Sequence, residues 1–215
     1  MSINERLESL RCHYMKNSLD VGDCDPNPVV QFEKWFDESL KSQCDEPNAF
    51  VLSTISNGRP RGRVVLLKGI HKGQFTFYTN YLSAKGHEIE ENIFVAMTFL
   101  WLPLQRQVRI EGRATKVESV LSDDYFQKRP RGNQLGAIAS PQSQKVASRQ
   151  ALEALFEQAD QKLLNTEVLS RPLHWGGYSI EPDYVEFWQG RESRMHDRIV
   201  YEKSDSRWSL TRLAP

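Results

Sequence analysis

Two apolar runs, AFVLSTIS (49 to 56) and RGRVVLLK (61 to 68), flank the dipeptide Asn57-Gly58. Asn-Gly tolerates the positive φ of the primed turns, whose twist suits paired strands, so this region reads as a β-hairpin. Further runs with strand character follow at GQFTFYTN (73 to 80), FVAMTFLWL (94 to 102) and QRQVRIEGRATKVE (105 to 118). HWGGYSI, YVEFWQG, RIVYEK and RWSLTRL continue the series to the C-terminus. Helical signals are inserted between them. Asn27 can cap a helix over 28 to 43, with Pro28 in its first turn and Val29, Phe32, Phe36 and Leu40 at helical spacing. Ser83 can cap a short helix through residue 92, Ser122 can cap DDYFQK, RPRG then forms a loop, and residues 147 to 163 are strongly periodic. Sequential strands with helices between and after them predict a mainly β (α+β) fold, a closed antiparallel barrel decorated by helices. Regular strand-helix alternation is missing, which argues against a doubly wound sheet.

At 215 residues the chain fits one domain, expected over 26 to 215, with residues 1 to 25 as a polar arm. Lys plus Arg equals Asp plus Glu at 28 each, so no global field draws nucleic acid or an anionic membrane, and any anion site is local. Cys12, Cys24 and Cys44 show no CxxC spacing and read as reduced thiols of a cytoplasmic protein. The N-terminus lacks the apolar core of a signal peptide, and the most apolar run stops at Pro103, so no membrane span is expected. GxGxxG, Walker A, HExxH and GxSxG motifs are missing, as are spaced Cys/His metal sets.

Chemistry concentrates in basic-polar clusters. In FWQGRESRMHDR (187 to 198), strand alternation over 194 to 200 would send Arg194, His196 and Arg198 to one face, an arrangement that needs an anion or electron-rich ring. A solvated edge strand with gatekeeper charges is the alternative. In RGRVVLLK, alternation opposes Arg63 to Lys68, so two different anions could be served. Ser83 and Lys85 lie near a helix start, where backbone donors and dipole favour phosphate, although an ordinary cap with a solvated lysine fits equally. Tyr125 and Arg129, four apart on a helix, share a face. RPRGR and KRPRG permit an RNA-binding reading, against which stand overall neutrality and the lack of a stacking-aromatic stripe.

RCHY (11 to 14), RVVLLK (63 to 68), FYTN (77 to 80), RQV (106 to 108), YFQKRPR (125 to 131), PQSQ (141 to 144), EFWQG (186 to 190), RMHDR (194 to 198) and the final RLAP span nearly the whole chain. In this order they resemble the pyridoxine (pyridoxamine) 5'-phosphate oxidases, flavin enzymes that make pyridoxal 5'-phosphate. The resemblance implies a homodimeric split barrel with FMN at the subunit interface and the substrate ring stacked on the flavin. It implies FMN contacts at Arg63, Val64, Val65, Leu66, Leu67, Lys68, Tyr78, Thr79, Lys85, Gln107, Gln142, Ser143, Trp188 and Arg198. Arg63, Lys85 and Ser143 would serve the FMN phosphate, and Gln107 and Arg198 the ring. The substrate phosphate site would fall on Lys68, Tyr125, Arg129 and Asn133. Arg194, Met195 and His196 would lie at the substrate ring, with Arg194 and His196 catalytic, and the segment from Arg11 to Tyr14 would close the site as a mobile arm.

The implied activity is oxidation of pyridoxamine and pyridoxine 5'-phosphate with oxygen reduced to hydrogen peroxide. Two positions depart from the family pattern. Ala84 stands where many members have Arg, removing one FMN-phosphate contact and implying a weaker hold on the cofactor. Asn133 stands where a Ser is usual and can still donate through its amide. Competing readings are a split-barrel flavin reductase or FMN carrier without this substrate, against which Tyr125, Arg129 and His196 argue, and an interaction module with no cofactor.

Overall fold

The computed structural model describes residues 2–10, 14 and 16–215. Arg11 and Cys12, singled out above, lie outside the described residues. The chain condenses into two compact units. One comprises Met1–Ala49, Met97–Ile110 and Asp183–Pro215, and the other Phe50–Ala96 and Glu111–Pro182.

In the first unit, a short helix α1 (Ile3–Ser9) is closed by a capping box between Ser2 and Glu5. Helix α2 (Pro28–Lys41) starts as its sequence requires, with the Asn27 side chain accepting the Val29 N–H at 2.9 Å and Pro28 in the first turn. Its apolar stripe buries Phe32 and Trp35. Phe32 packs against Phe99 and Trp101 at centroid distances of 5.0 and 5.9 Å, and Trp35 meets Phe187 edge-on at 5.1 Å. Burial of such rings contributes about 2–3 kcal/mol apiece, which makes this helix core rather than site.

The strands are β1 (Ala49–Ser56), β2 (Arg59–Leu66), β3 (Gly69–His71), β4 (Gln74–Asn80), β5 (Phe94–Trp101), β6 (Arg106–Lys116), β7 (Trp175–Gln189), β8 (Asp197–Ser204) and β9 (Arg207–Leu213). Asn57 and Gly58 take φ of 50° and 70°, the left-handed pair that a type I′ turn demands. Lys72 and Gly73, at 51° and 77°, make the equivalent turn between β3 and β4. The strand order is β2-β1-β5-β6-β7-β4-β3, and β8 pairs with β7 and with β9. The pairings β3–β4, β4–β7, β7–β8 and β8–β9 are antiparallel. The path ends at β2 and β3, so the closed barrel expected from strand count is corrected to an open, split-barrel-like sheet. Both ends are blunted: β3 has only 3 residues, and Arg59 and Arg61 stand exposed on β2.

Strand β7 is a second correction. HWGGYSI and YVEFWQG, expected as separate strands because Pro182 divides them, form one strand of 15 residues. Pairing with β4 ends at Ile180 and pairing with β8 begins at Tyr184. Pro182 therefore sits where the strand changes partner and no ladder N–H is needed. Nearby, a Cβ on Gly112 of β6 would lie 2.0 Å from the Glu181 carbonyl oxygen. Because backbone is the obstacle, Gly112→Ala should cost about 3 kcal/mol and lower the thermal midpoint by roughly 6–12 °C, checked by calorimetry.

Helices α3 (Ala84–Glu91), α4 (Ser119–Gln127), α5 (Arg131–Ala139) and α6 (Arg149–Lys162) flank the sheet of the second unit. Ser83 caps α3, accepting the Gly86 N–H at 3.3 Å, and Ser148 caps α6. Ser122 is no cap: it is buried inside α4, where its hydroxyl accepts the Gly177 N–H. The expected RPRG loop instead leads directly into α5, whose Arg131 donates to the Leu163 and Thr166 carbonyls just beyond α6. No helix among the described residues is long and apolar enough to cross a membrane.

Candidate active site

The first candidate cluster forms around the start of α3. Lys85 lies in its first turn, and its ammonium donates to Gln142 Oε1 at 3.0 Å and to the Thr79 and Ser83 hydroxyls at 3.3 Å. Burial, reinforced by the positive charge of Arg63, pulls the Lys85 pKa below the ordinary lysine value. Arg63, reaching in from β2, is held by Glu88 of α3. Its Nη2 donates to Glu88 Oε2 at 2.6 Å and its Nη1 to the Thr54 hydroxyl at 2.5 Å, while that hydroxyl donates to the same carboxylate oxygen at 2.6 Å. Two cations thus share one carboxylate at the positive end of a helix, leaving excess positive charge for an anion. Gly86 permits this packing, because a Cβ there would lie 2.0 Å from the Tyr81 carbonyl oxygen.

The other predicted cofactor positions of this unit surround that charge unevenly. Thr79 and Leu67 are buried and Val64 is 65% exposed. Val65 and Leu66 are partly covered, and Ser143 takes a left-handed φ of 71° on an exposed stretch beside Gln142. Lys68 contributes its backbone N–H to the Thr76 carbonyl and presents an exposed side chain.

Next to Gln142 opens a cavity of about 290 Å³ lined by Asn80, Arg129, Asn133 and Trp175 among others. Trp175 in its wall belongs to an aromatic stack. The Tyr78 and Tyr125 rings stack at 4.0 Å and Tyr78 and Trp175 at 5.5 Å, with interplanar angles of 17° and 12°. The Arg129 guanidinium lies 4.6 Å from the Trp175 centroid. Its Nη1 is buried without a hydrogen-bond acceptor among the described residues, and burial lowers the Arg129 pKa. A buried donor nitrogen left unsatisfied on a half-buried guanidinium costs free energy that an incoming anion would recover. Tyr125 stands beside it, with the phenol pKa raised by burial.

The third cluster belongs to the first unit. Trp188 and His196 lie 4.6 Å apart, and the Tyr14 ring meets both edge-on at 5.8 and 5.4 Å. The Arg191 N–H donates to His196 Nδ1 at 3.0 Å, so in the neutral ring the proton sits on Nε2, free to be donated. Burial and then Arg194 lower the His196 pKa, favouring that neutral form. The alternation expected over 194 to 200 does not occur: β8 starts only at Asp197, and Ser193 and Arg194 take left-handed φ of 56° and 61°. Such paired left-handed residues cost about 1–2 kcal/mol each and set Arg194 on a turn instead of a strand face. Arg198 lies opposite Trp188 in the β7–β8 ladder and forks onto Glu186 at 2.8 and 3.1 Å. That carboxylate is 3% exposed, and although burial opposes ionisation, Arg198 and Arg109 hold its pKa low. Gln107 is half-buried on β6, and Met195 is 68% exposed. Tyr14, Arg191, Glu192 and Met195 line a cavity of about 550 Å³.

The structure thus groups Arg63, Thr79, Lys85 and Gln142, joins Arg129 and Asn133 to them through the cavity that Gln142 also lines, stacks Tyr125 on Tyr78, and in the first unit groups Tyr14, Trp188, Met195 and His196. Sequence reasoning missed Glu88, Thr54, Asn80 and Trp175. Glu88 had a signal, since it falls one helical turn after Lys85, but a carboxylate there also suits a solvated face.

Residues 36–163 match the pyridoxamine 5'-phosphate oxidase family model, and residues 175–215 match that of the pyridoxine 5'-phosphate oxidase C-terminal dimerisation region. A pyridoxine/pyridoxamine 5'-phosphate oxidase of Leptospira interrogans is 48% identical over 215 residues, covering 99% of this chain and 100% of the relative. One from Janthinobacterium sp. (strain Marseille) is 47% identical, covering 97% and 99%. Among solved structures, PhzG from Burkholderia lata 383, in complex with tetrahydrophenazine-1-carboxylic acid, superposes with a TM-score of 0.85 at 29% identity over 93% of this chain and 100% of its own. An FMN binding protein related to pyridoxamine 5'-phosphate oxidase, from Nostoc punctiforme, shares the fold at a TM-score of 0.69 and 19% identity, covering 87% of this chain and 97% of its own. On the length and specificity of these matches, this chain belongs to the pyridoxamine 5'-phosphate oxidase family, a family of oxidoreductases.

Proposed function

We propose that this protein is an FMN-dependent oxidase that converts pyridoxamine 5'-phosphate and pyridoxine 5'-phosphate to pyridoxal 5'-phosphate, acting as a homodimer. The observation that carries the reading is the unsatisfied Arg129 Nη1, buried against the Trp175 ring and lining a cavity with Asn133. That combination suits a phosphorylated substrate: a guanidinium fork and an amide for the phosphate. Tetrahydrophenazine-1-carboxylic acid, held by the PhzG relative, carries a carboxylate and no phosphate, so the Arg129 site is where the two substrate classes would part.

The residues also fit FMN. Arg63 and Lys85 supply the excess positive charge and α3 its positive end, while Thr79 and Gln142 offer polar atoms beside them. When bound, FMN supplies the redox chemistry, accepting a hydride equivalent from the substrate's exocyclic carbon and passing the electrons to oxygen, which leaves as hydrogen peroxide. The chain's own part is placement and charge. In this reading Arg129, Asn133 and Tyr125 grip the substrate phosphate. Arg194 stabilises negative charge developing on the substrate ring, and His196, its Nδ1 occupied by the Arg191 N–H, orients the substrate through the Nε2 proton. Tyr14 covers the ring. The match of residues 175–215 to a dimerisation region supports the homodimer.

Purified protein loaded with FMN and supplied with pyridoxamine 5'-phosphate should release pyridoxal 5'-phosphate, ammonia and hydrogen peroxide in equal amounts, water hydrolysing the oxidised imine. Flavin that turns over with a reduced nicotinamide but not with either B6 phosphate would establish the reductase or carrier reading instead. FMN binding should also report Lys85. Its ammonium is the form that attracts phosphate, and its lowered pKa means that this form is complete at low pH and lost as pH rises, earlier than for an ordinary lysine. Fluorescence titrations should therefore show FMN affinity falling in the alkaline range, with Lys85→Met weaker throughout and flatter with pH.

A further inference from the structure

Leu19 is held in a way that no neighbouring strand explains. Its N–H donates to Asp197 Oδ2 at 3.0 Å and its carbonyl accepts from Arg212 Nη2 at 2.8 Å. Arg212 Nη1 in turn donates to Asp197 Oδ1 at 2.7 Å, and Arg212 reaches Asp20 at 3.3 Å. An ion pair between the first residue of β8 and the end of β9 thus satisfies both backbone groups of Leu19, as a paired strand would, while the Leu19 side chain is buried at 5% exposure. Arg191 also approaches Asp197 Oδ2, at 3.4 Å, and its own N–H is the donor to His196 Nδ1.

Tyr14 lies five residues before this clamp. Its seat is made of Trp188, His196 and the bare backbone of Gly190, where a Cβ would fall 2.3 Å from Tyr14 Cδ1. Lys16 adds lesser ties, its N–H to Gln105 Oε1 at 3.3 Å and its ammonium to the Pro103 carbonyl at 2.7 Å. Those are single contacts on an exposed residue, whereas Asp197 and Arg212 pair opposite charges, partly buried, and grip both backbone groups of Leu19.

We propose that the Asp197–Arg212 ion pair is a positioning element: by clamping Leu19 it holds Tyr14 on the Trp188–His196–Gly190 seat, and so fixes one wall of the 550 Å³ cavity. As a statement about catalysis it rests on the B6-phosphate reading above. Removing either partner leaves the chain foldable but the wall loose, so substrate capture suffers while the chemistry, once substrate is bound, does not.

The test uses the full-length, FMN-loaded protein and three variants, Asp197→Asn, Arg212→Met and Gly190→Ala. The last evicts the Tyr14 ring without touching the ion pair, so it serves also if the charge variants fold poorly. Each should raise KM for pyridoxamine 5'-phosphate about tenfold, with kcat within about threefold of wild type and FMN content unchanged. Trypsin cleavage after Lys16, followed by mass spectrometry, should accelerate at least about fivefold in the two clamp variants, as loss of local protection predicts. The double variant Asp197→Asn/Arg212→Met should be no worse than either single one, because both remove one clamp. A wild-type KM with unchanged cleavage, or a kcat loss accompanied by lost flavin, would overturn the proposal. Should the wild-type protein fail to oxidise B6 phosphates, the functional reading falls, and the rate of cleavage at Lys16 still decides whether the clamp exists.

Discussion

Replacing Arg129 with methionine is expected to raise KM for pyridoxamine 5'-phosphate by roughly 100-fold, since a bidentate, charge-assisted contact in a desolvated site contributes about 3 kcal/mol. FMN content should not change, because the cations assigned to the FMN phosphate, Arg63 and Lys85, are held by Glu88 and Gln142 and not by Arg129. The stability of the ligand-free protein should hold or rise. Arg129 Nη1 is buried with no acceptor and burial lowers its pKa, so the folded state bears a desolvation penalty that an apolar side chain of similar length removes. The opposing term is the lost stacking on Trp175, about 1 kcal/mol. Lysine would not rescue, since a point charge cannot reproduce the planar fork against the indole. Steady-state kinetics with a thermal melt check both halves: a small KM change, or a melt that falls along with flavin content, would contradict the assigned role.

The second large effect is expected at Glu88. Its carboxylate is the counter-ion of Arg63, with side chains only 10% and 22% exposed, and it also accepts from Thr54. Glu88→Gln leaves Arg63 and Lys85 facing one another without compensation. Breaking a pair this buried costs about 3 kcal/mol, or roughly 6–12 °C in the melting of a chain of this size. If FMN phosphate binds at these cations, it supplies the missing negative charge, so the FMN-loaded variant should lose much less than the FMN-free one. Paired melts with and without FMN measure this directly. An equal loss in both would place the phosphate elsewhere.

These two residues differ in how far the sequence announced them. The sequence points to Arg129 for the wrong reason: the helix on which it would share a face with Tyr125 ends at Gln127, so Arg129 sits in the bend beyond it, and the Trp175 ring it stacks on comes from a distant strand that no local signal announced. Glu88 was hidden, since its role is created by a tertiary contact with β2. The same division runs through the fold. Helix α2 and the β1–β2 hairpin were readable because their signals, Asn27-Pro28 and Asn57-Gly58, act within a few residues. The continuity of β7 was not, because a proline that reads locally as a break is harmless where the strand changes partner. Nor was the helical start at Arg131, held by carbonyls near residue 165. The 194 to 200 segment failed for a backbone reason. Period-two reasoning assumes extended φ, and Ser193 and Arg194 are left-handed, so Arg194 and His196 gain their positions from a strained turn. The clustering of His196 with Trp188 was nevertheless anticipated by their closeness in sequence.

One experiment reaches the central claim directly. FMN-loaded protein is mixed with pyridoxamine 5'-phosphate under anaerobic conditions, the flavin absorbance is followed, and air is then admitted. The account predicts bleaching by the substrate and recovery of the oxidised spectrum in air, with stoichiometric pyridoxal 5'-phosphate. A flavin spectrum unchanged by both the amine and the alcohol phosphate would contradict it.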